Sequence, residues 1–193
     1  MNIAIVGATG NVGRKTLEVL EKKELSIENL YLVASSKSAG KKINYRGKEY
    51  EVIDLENFDF SKVKIAFFVA GGKISEKFAE KAAKHCIVID NSSYYRMDSN
   101  VPLIVPQVNA DDLNNINKNI IANPNCSTTQ LVIALKPLHD LFIIKRIVVS
   151  TYQSVSGGGK APMDELIEQT KLVLDGKKVK SKNFTKQIAF NAI

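Results

Sequence analysis

Short apolar runs alternate with amphipathic stretches through most of the chain. The opening run, Asn2–Val6, ends at Gly7, which is typical of a buried strand followed by a tight turn. Apolar positions then recur at helical spacing over residues 12–23. The same pattern predicts strands at residues 30–34, 65–70, 87–89, 103–105 and 120–122, a helix at 74–84, and a hairpin at 42–53 that turns at Arg46-Gly47. Strands that alternate with helices predict βαβ units and a mostly parallel sheet.

The hydrophobic pattern changes from Cys126 onward. A helical pattern begins there and runs to about Lys136, where Pro137 is expected to stop or kink the helix. Residues 143–160 follow as a β-rich segment that is longer than any earlier strand, and residues 162–174 again have a helical pattern.

This change predicts two domains without a low-complexity linker between them. Residues 1–124 form an α/β domain with a mostly parallel sheet. Residues 125–193 mix a long β-rich segment with helices, so we expect an α+β domain there.

Composition limits the class of protein. Apolar residues make up 45% of the 193 residues, which is enough to fill a core. No apolar run is long enough to span a bilayer, and the N-terminal segment lacks the basic start and cleavage site of a signal peptide. We therefore expect a cytoplasmic protein that does not act on a membrane.

The net charge of +7 raises nucleic acid as a possible partner. Most lysines are spread among acidic residues, and no aromatic side chains interleave with them as they do on base-stacking surfaces. One basic group stands near the C-terminus: Lys177, Lys178, Lys180, Lys182 and Lys186. We interpret it as a solvated face and expect no nucleic-acid partner.

Two cysteines and two histidines leave little room for metal or disulfide chemistry. Cys86, Cys126, His85 and His139 lack the spacing of a zinc site, so we expect no metal. Two cysteines do not indicate a disulfide framework. Cys86 opens a predicted core strand and is expected to be a buried, inert thiol.

Glycines follow the first predicted strand at the spacing G-x-x-G-x-x-G, in GATGNVG. Gly7, Gly10 and Gly13 would let the backbone approach a pyrophosphate, whose charge a helix N-terminus favours. A structural turn is the alternative, but the strand–loop–helix context favours dinucleotide binding. Ala70 and Gly71 end the central strand in FFVAGG, where they would pass close to the cofactor or simply form a tight turn.

The end of the second predicted strand distinguishes the two nicotinamide cofactors. An NAD site needs an acid about 20 residues beyond the glycines to bind the ribose hydroxyls. Here the chain has no acid until Glu49, whereas Ser35, Lys37 and Ser38 offer groups suited to a 2′-phosphate. We therefore predict NADP rather than NAD, with a plain polar loop as the alternative.

Cys126 lies in NPNCSTT, between a short apolar run and the next helical pattern. A helix N-terminus would favour its thiolate by about 0.3–1 kcal/mol, and by up to about 2 kcal/mol when partly buried. A base or cation would still be needed nearby. A thiolate beside NADP could add to an aldehyde, lose hydride to the nicotinamide, and hold the acyl group as a thioester until phosphate releases it. A structural cysteine is the alternative.

Six motifs occur in order: GATGNVG, SSKSAGK, FFVAGG, DNSSYYR, NPNCSTT and STYQSVSGGGK. Together they resemble the aspartate-semialdehyde dehydrogenase family along essentially the whole chain, and NPNCSTT is the most specific. N-acetyl-glutamyl-phosphate reductases and glyceraldehyde-3-phosphate dehydrogenases are poorer matches. The resemblance implies a Rossmann-like domain followed by a catalytic and dimerisation domain, in a homodimer.

The same resemblance implies an activity and a pathway. Such an enzyme uses NADP for the reversible reductive dephosphorylation of L-aspartyl-4-phosphate to L-aspartate 4-semialdehyde. The product feeds the biosynthesis of lysine, through diaminopimelate, and of threonine, methionine and isoleucine.

Particular residues receive roles from this resemblance. Cys126 would carry the acyl thioester, Gln153 would orient the substrate, and Arg96 would bind phosphate, consistent with the fit of a guanidinium to oxyanions. Asn91 and Asn125 would frame the site. The implied cofactor contacts are Gly7, Thr9, Gly10, Asn11, Val12, Gly13, Ser35, Lys37, Ser38, Ala70, Gly71, Ser156 and Gly157.

The chain departs from the family in its last part. The resemblance implies a histidine general base in an Arg-rich segment, later substrate-binding Glu and Arg residues, and a C-terminal helix, none of which this chain matches. His85 and His139 lie outside such a segment. We therefore expect a fragment with an incomplete second domain, weak NADP binding and poor turnover. A non-catalytic NADP-binding module with a structural cysteine is the alternative.

Overall fold

The computed structural model describes residues 1–23 and 25–193. They form two compact units, Met1–Ile147 and Val148–Ile193. The predicted boundary at residues 124/125 lies inside the first unit. Contacts therefore divide the chain later than the hydrophobic pattern does, and the functional boundary stays a prediction.

One seven-stranded sheet forms the centre of the first unit. Its strands are β1 (Asn2–Val6), β2 (Asn29–Ala34), β3 (Lys42–Tyr45), β4 (Lys48–Asp54), β5 (Ile65–Phe68), β6 (Ile87–Asp90) and β7 (Ile120–Ala122). They lie in the order β3-β4-β2-β1-β5-β6-β7, and every pair is parallel except the β3–β4 hairpin. This confirms the mostly parallel α/β fold. Strand β2 pairs with one side of β1, and β5 later pairs with the other side of β1. The strand order therefore reverses between β1 and β5, and ligands are expected at the carboxyl ends of β1 and β5.

The first unit contains the helices α1 (Asn11–Lys22), α2 (Gly72–Ala83), α3 (Pro106–Asn109) and α4 (Cys126–Phe142), and the second unit contains α5 (Lys160–Leu174). Ile5 of β1 packs in one cluster with Leu17 of α1, whereas Val6 packs in another with Phe78 of α2. Successive strand residues point to opposite faces, so α1 and α2 lie on opposite sides of the sheet.

The predicted hairpin is confirmed, with its turn at Arg46 and Gly47. Both residues have positive φ, +50° and +75°, which matches the right-handed twist of the flanking strands. The Arg46 guanidinium also donates to the carbonyls of Leu20 and Glu21 at 3.3 and 3.2 Å. It thereby satisfies carbonyls that the end of α1 leaves without a helical partner.

Two strand predictions are wrong. Residues 103–105 contribute only an isolated bridge between Leu103 and Ala122. Residues 143–154 contain no strand, although they are rich in β-favouring side chains, and Val148 in that segment is 80% exposed. Such a composition forms a strand only where neighbouring backbone completes the hydrogen-bond ladder.

The helix that begins at Cys126 is longer than its sequence suggests. It continues through Pro137 and ends at Phe142, so the proline does not stop it. The proline removes one helical hydrogen bond, but the rest of the turn holds.

In the part of the chain that the structure describes, no helix combines the length and apolar character needed to cross a membrane.

Strands β5, β6 and β7 are fully buried on one face only. Ala66 and Val88 are inaccessible on the α2 side, whereas Phe67, Ile89 and Ile121 on the opposite face remain partly exposed. We call this second surface the open face of β5–β7. It continues into a cavity beside α1.

Candidate active site

The glycine loop lies at the carboxyl end of β1 and leads into α1. Gly7 has φ +96°, and its N–H donates to the Val33 carbonyl at 2.7 Å. A Cβ at Gly13 would lie 2.3 Å from the Gly7 carbonyl oxygen, so only glycine fits there. The first N–H groups of α1 have no partner within the helix, and Gly10 and Asn11 beside them are exposed. This arrangement suits an anion such as a pyrophosphate.

The loop after β2 contacts the glycine loop. Thr9 Oγ1 lies 3.5 Å from Ser38 Oγ, in hydrogen-bond contact. The Ser38 N–H donates to the Ser35 carbonyl at 2.8 Å, which closes a short turn that presents Lys37 to solvent. Residues 35–48 contain no carboxylate. A hydroxyl and an ammonium group therefore stand where an NAD site would carry an acid.

The turn after β5 also reaches the glycine loop. A Cβ at Gly7 would lie 2.9 Å from Ala70 Cβ, so the two loops are in close contact. Gly71 has φ +88° and precedes the first residue of α2. The loops after β1, β2 and β5 thus meet at the topological switch of the sheet.

A cavity of about 330 Å³ opens between α1 and the ends of β5 and β6. Apolar side chains of α1 and the open face line most of it, among them Val12 and Phe67. Asn91 and Asn123 line it as well. It therefore connects Val12, a predicted cofactor contact, with Asn91, a predicted substrate contact.

Arg96 is held against the ends of β6 and β7. Its Nε donates to the Asn123 carbonyl at 2.9 Å, and its Nη2 donates to the Asn91 carbonyl at 3.3 Å. The Asn123 side-chain amide donates to Asn91 Oδ1. These bonds use two of the five N–H donors of a guanidinium, so the others can bind an oxyanion. Sequence reasoning missed Asn123, whose only signal was its place two residues before Asn125.

Cys126 is the first residue of α4 and is exposed. Asn125 caps the helix: its Oδ1 accepts from the N–H and the hydroxyl of Ser127 at 3.0 and 2.6 Å. The Cys126 sulfur lies 3.8 Å from the same oxygen. Asn123, which anchors Arg96, belongs to the turn that leads into Cys126. The phosphate-binding candidate and the nucleophile candidate are therefore carried by one corner of the fold.

The second cysteine is in a different environment. Cys86 is buried, and its thiol donates to the Ala82 carbonyl at 3.4 Å. Burial raises its pKa to about 11. The expectation of a buried core thiol is confirmed.

Neither histidine is near Cys126. His85 precedes β6, whereas the site lies at the far end of that strand, and its side chain is exposed. His139 is exposed in the last turn of α4. At about 1.5 Å per residue it stands roughly 20 Å along the helix from Cys126. Neither can act as a base at that sulfur.

The other predicted residues lie in the second unit. Ser156 and Gly157 lie in a short turn at Val155–Gly158 that leads into α5, and Gln153 lies two residues before this turn. A Cβ at Gly157 would lie 2.9 Å from Gln153 Nε2, and the hydroxyls of Ser154 and Ser156 are 2.8 Å apart. The structure thus brings Gln153 and Gly157 into contact.

Across the described residues, 1–23 and 25–193, no three His, Cys, Asp or Glu side chains form a group that could hold a metal ion.

Comparison with known proteins identifies similar chains along the full length. The sequence model of the semialdehyde dehydrogenase NAD-binding domain matches residues 2–116, and that of the semialdehyde dehydrogenase dimerisation domain matches residues 135–193. An aspartate-semialdehyde dehydrogenase of Shewanella violacea is 48% identical over 194 residues, covering 100% of this chain and 57% of the relative. Aspartate-semialdehyde dehydrogenase 2 of Vibrio cholerae is 50% identical and is covered to 58%.

Solved structures give the same picture. Aspartate semialdehyde dehydrogenase II of Vibrio cholerae, complexed with ASA, superposes with a TM-score of 0.93 at 50% identity, over 98% of this chain and 57% of that one. The Candida albicans enzyme with NADP has a TM-score of 0.59 at 28% identity, over 74% of this chain and 48% of that one. The chain thus spans little more than half the length of the relatives it matches.

Proposed function

The chain belongs to the semialdehyde dehydrogenase family, and from this we propose that it provides the dinucleotide and phosphate sites and the nucleophile of an NADP-dependent aspartate-semialdehyde dehydrogenase. One observation carries the proposal most directly. Arg96 is bonded to the backbone of the turn that ends at exposed Cys126. An oxyanion bound by Arg96 would therefore be placed close to a sulfur at a helix N-terminus.

The first chemical step follows from these two residues. The Cys126 thiolate attacks the 4-acyl carbon of L-aspartyl-4-phosphate, and the bond from that carbon to the phosphate oxygen breaks. The electron pair leaves with inorganic phosphate, whose charge Arg96 offsets. The enzyme is left with an aspartyl thioester on Cys126. In the reverse direction phosphate attacks this thioester and frees the thiolate.

Residues at the topological switch fit the cofactor. Gly7 and Gly13 let the loop pack tightly against Ala70 and the start of α1, and Gly71 has a positive φ that other residues rarely adopt. Bound NADPH supplies the hydride that turns the acyl thioester into the aldehyde. Lys37 and Ser38 would bind its 2′-phosphate, and the first turn of α1 its pyrophosphate. Gln153, Ser156 and Gly157 would orient the intermediate beside the nicotinamide, as the family resemblance implies.

The wider assignments also belong to the proposal. The match to a dimerisation domain at residues 135–193 supports a homodimer formed through that part of the chain. The relatives named above support a place in the biosynthesis of lysine, threonine, methionine and isoleucine. We propose a cytoplasmic location along with it. Small molecules are the proposed ligands, and neither nucleic acid nor membrane is among the proposed partners.

Acylation by L-aspartyl-4-phosphate tests the chemistry without requiring a full catalytic cycle. Intact-mass spectrometry should show one added aspartyl group, which peptide mapping places on Cys126 and which hydroxylamine removes. Cys126→Ser should lose the adduct, whereas Cys86→Ser should keep it. An adduct that is independent of Cys126, or no adduct at all, would leave the non-catalytic NADP-binding module as the better description.

Cofactor choice is tested by titration with NADPH and NADH, followed by nucleotide fluorescence. NADPH should bind more tightly. Lys37→Glu should weaken NADPH roughly tenfold, the equivalent of one charge-assisted hydrogen bond, and leave NADH nearly unchanged. Lys41→Glu makes the same charge change on an exposed lysine in the same loop and should have a smaller effect. Equal or tighter NADH binding by the unmodified chain would contradict the assignment.

A further inference from the structure

Asp90 is a fully buried carboxylate at the end of β6. Its Oδ1 accepts from the Ser75 hydroxyl at 2.6 Å and from the Ser92 N–H at 3.1 Å. Its Oδ2 accepts from the Ser92 hydroxyl at 2.7 Å. A carboxylate without access to water is costly unless hydrogen bonds replace its hydration, and here every partner is neutral. Such a network favours one fixed arrangement of its members.

The two serines belong to two different subsites. Ser75 lies in the first turn of α2, where its N–H donates to the Gly71 carbonyl at 3.2 Å. Ser92 lies in the turn that leads to Arg96, and its hydroxyl accepts from the Tyr94 N–H at 3.1 Å. One carboxylate therefore joins the cofactor turn after β5 to the phosphate turn after β6.

Arg96 depends on the same turn for its orientation. Its Nη2 donates to the carbonyl of Asn91, the residue that directly follows Asp90. A shift of Asp90 would move this carbonyl and leave the guanidinium attached at only one side, through Asn123. One of the two carbonyls that orient the phosphate-binding guanidinium thus belongs to the residue next to the buried carboxylate.

We propose that Asp90 is a positioning residue, which acts through the Asn91–Arg96 turn to fix the phosphate-binding guanidinium relative to the cofactor turn at Gly71. The inference rests on the proposed function, because it takes Arg96 as the phosphate ligand. Stability alone does not explain why this position carries a buried polar network. Replacing all members of such a network by apolar groups of similar shape changes the free energy of unfolding little. A fixed distance between two ligands is what the hydrogen-bonded link through Asp90 provides.

Titrations of the purified chain with inorganic phosphate test this role. Asp90→Asn retains the side-chain shape but removes one acceptor. Ser92→Ala removes the hydrogen bonds that the Ser92 hydroxyl makes with the Asp90 carboxylate and with the Tyr94 N–H. Each should weaken inorganic phosphate roughly 5- to 50-fold, the equivalent of one buried hydrogen bond. Val88→Ala, on the same strand and fully buried, destabilises the fold without touching the network. It should leave the affinity for phosphate unchanged.

A double-mutant cycle separates positioning from a general loss of structure. Arg96→Lys should weaken phosphate binding by itself, and Asp90→Asn should then add little, because the group that Asp90 orients is already altered. Equal phosphate affinity in Asp90→Asn, Ser92→Ala and the unmodified chain would overturn the positioning role while leaving the proposed function intact. Phosphate binding that is insensitive to Arg96→Lys would instead overturn the proposed function, and this inference with it.

Discussion

At the scale of single residues, the two cysteines show how surroundings decide the chemistry of identical side chains. Cys126 opens a helix and is exposed, with its neighbour Asn125 as the cap. Cys86 follows α2 in the core, where burial raises its pKa to about 11. The local sequence indicated both environments, because one cysteine precedes a helical pattern and the other opens an apolar run.

Burial of Cys86 predicts a loss of stability at high pH. Its folded pKa of about 11 exceeds the ordinary value of 9.0, so between these values the folded state binds more protons than the unfolded state. The free energy of unfolding therefore falls as pH rises through this range. Urea unfolding should show the stability advantage of the unmodified chain over Cys86→Ala shrinking by up to about 2–3 kcal/mol as pH rises from about 8 to about 11. An advantage that stays constant with pH would contradict the raised pKa.

At the scale of elements, the glycine loop and α1 fit together only because two positions, Gly7 and Gly13, lack side chains. Gly7 needs a positive φ, and Gly13 lies against the Gly7 carbonyl. The spacing of these glycines in the sequence predicted the loop and its ligand class. The contacts of Gly7 with Val33 and Ala70 join elements distant in sequence, and the spacing alone did not show them.

Gly13→Ala should damage this loop. The new Cβ would lie 2.3 Å from the Gly7 carbonyl oxygen, and overpacking of this kind costs about 1–3 kcal/mol. Thermal unfolding should report that loss, and NADPH affinity should fall with it. Gly72→Ala is the matched control, because its Cβ would meet nothing closer than 3.9 Å. It should be neutral or slightly stabilising, since alanine favours a helix. Unchanged stability and affinity in Gly13→Ala would argue against the tight loop.

In the second unit, two buried polar side chains, Glu165 and Gln169, hold the last part of the chain against α5. Gln169 of α5 accepts at Oε1 from the N–H groups of Ile188 and Ala189, at 2.8 and 3.2 Å. Glu165 accepts from the N–H groups of Lys182 and Asn183 at 2.8 and 2.7 Å. Burial opposes ionisation of Glu165, but these hydrogen bonds leave its pKa below the usual range. The last part of the chain is thus held to α5 by side chains rather than by a strand ladder.

At the scale of the whole chain, the sheet is covered unequally. Parallel sheets are normally buried on both faces, yet β5–β7 have one buried face, carrying Val88, and one open face, carrying Ile89 and Ile121. The strands read as continuous apolar runs because both faces are apolar. The sequence therefore could not indicate which face would remain accessible.

Paired substitutions on β6 should reveal this difference. Ile89→Thr places a hydroxyl on the open face, where water can reach it, and should change the free energy of unfolding by less than about 1 kcal/mol. Val88→Thr buries the hydroxyl on the other face and should cost about 1–3 kcal/mol. ANS is a dye that fluoresces when it binds exposed apolar surface, so Ile89→Thr should also reduce its fluorescence. Equal destabilisation by the two variants would show that the open face is buried in solution.

The sequence by itself determined the parallel sheet, the cofactor loop and the position of the nucleophile candidate, because glycine spacing, apolar runs and helix starts are local properties. The tertiary structure alone decided how Arg96, Asn91 and Asn123 meet, and that Asp90 joins two loops, because these contacts cross between strands far apart in the chain. It also decided that residues 143–154 form no strand, since a strand requires a neighbour that composition cannot supply. Local pattern thus predicts which segments favour a helix or a strand, whereas the assembly of distant strand ends decides which side chains share a site.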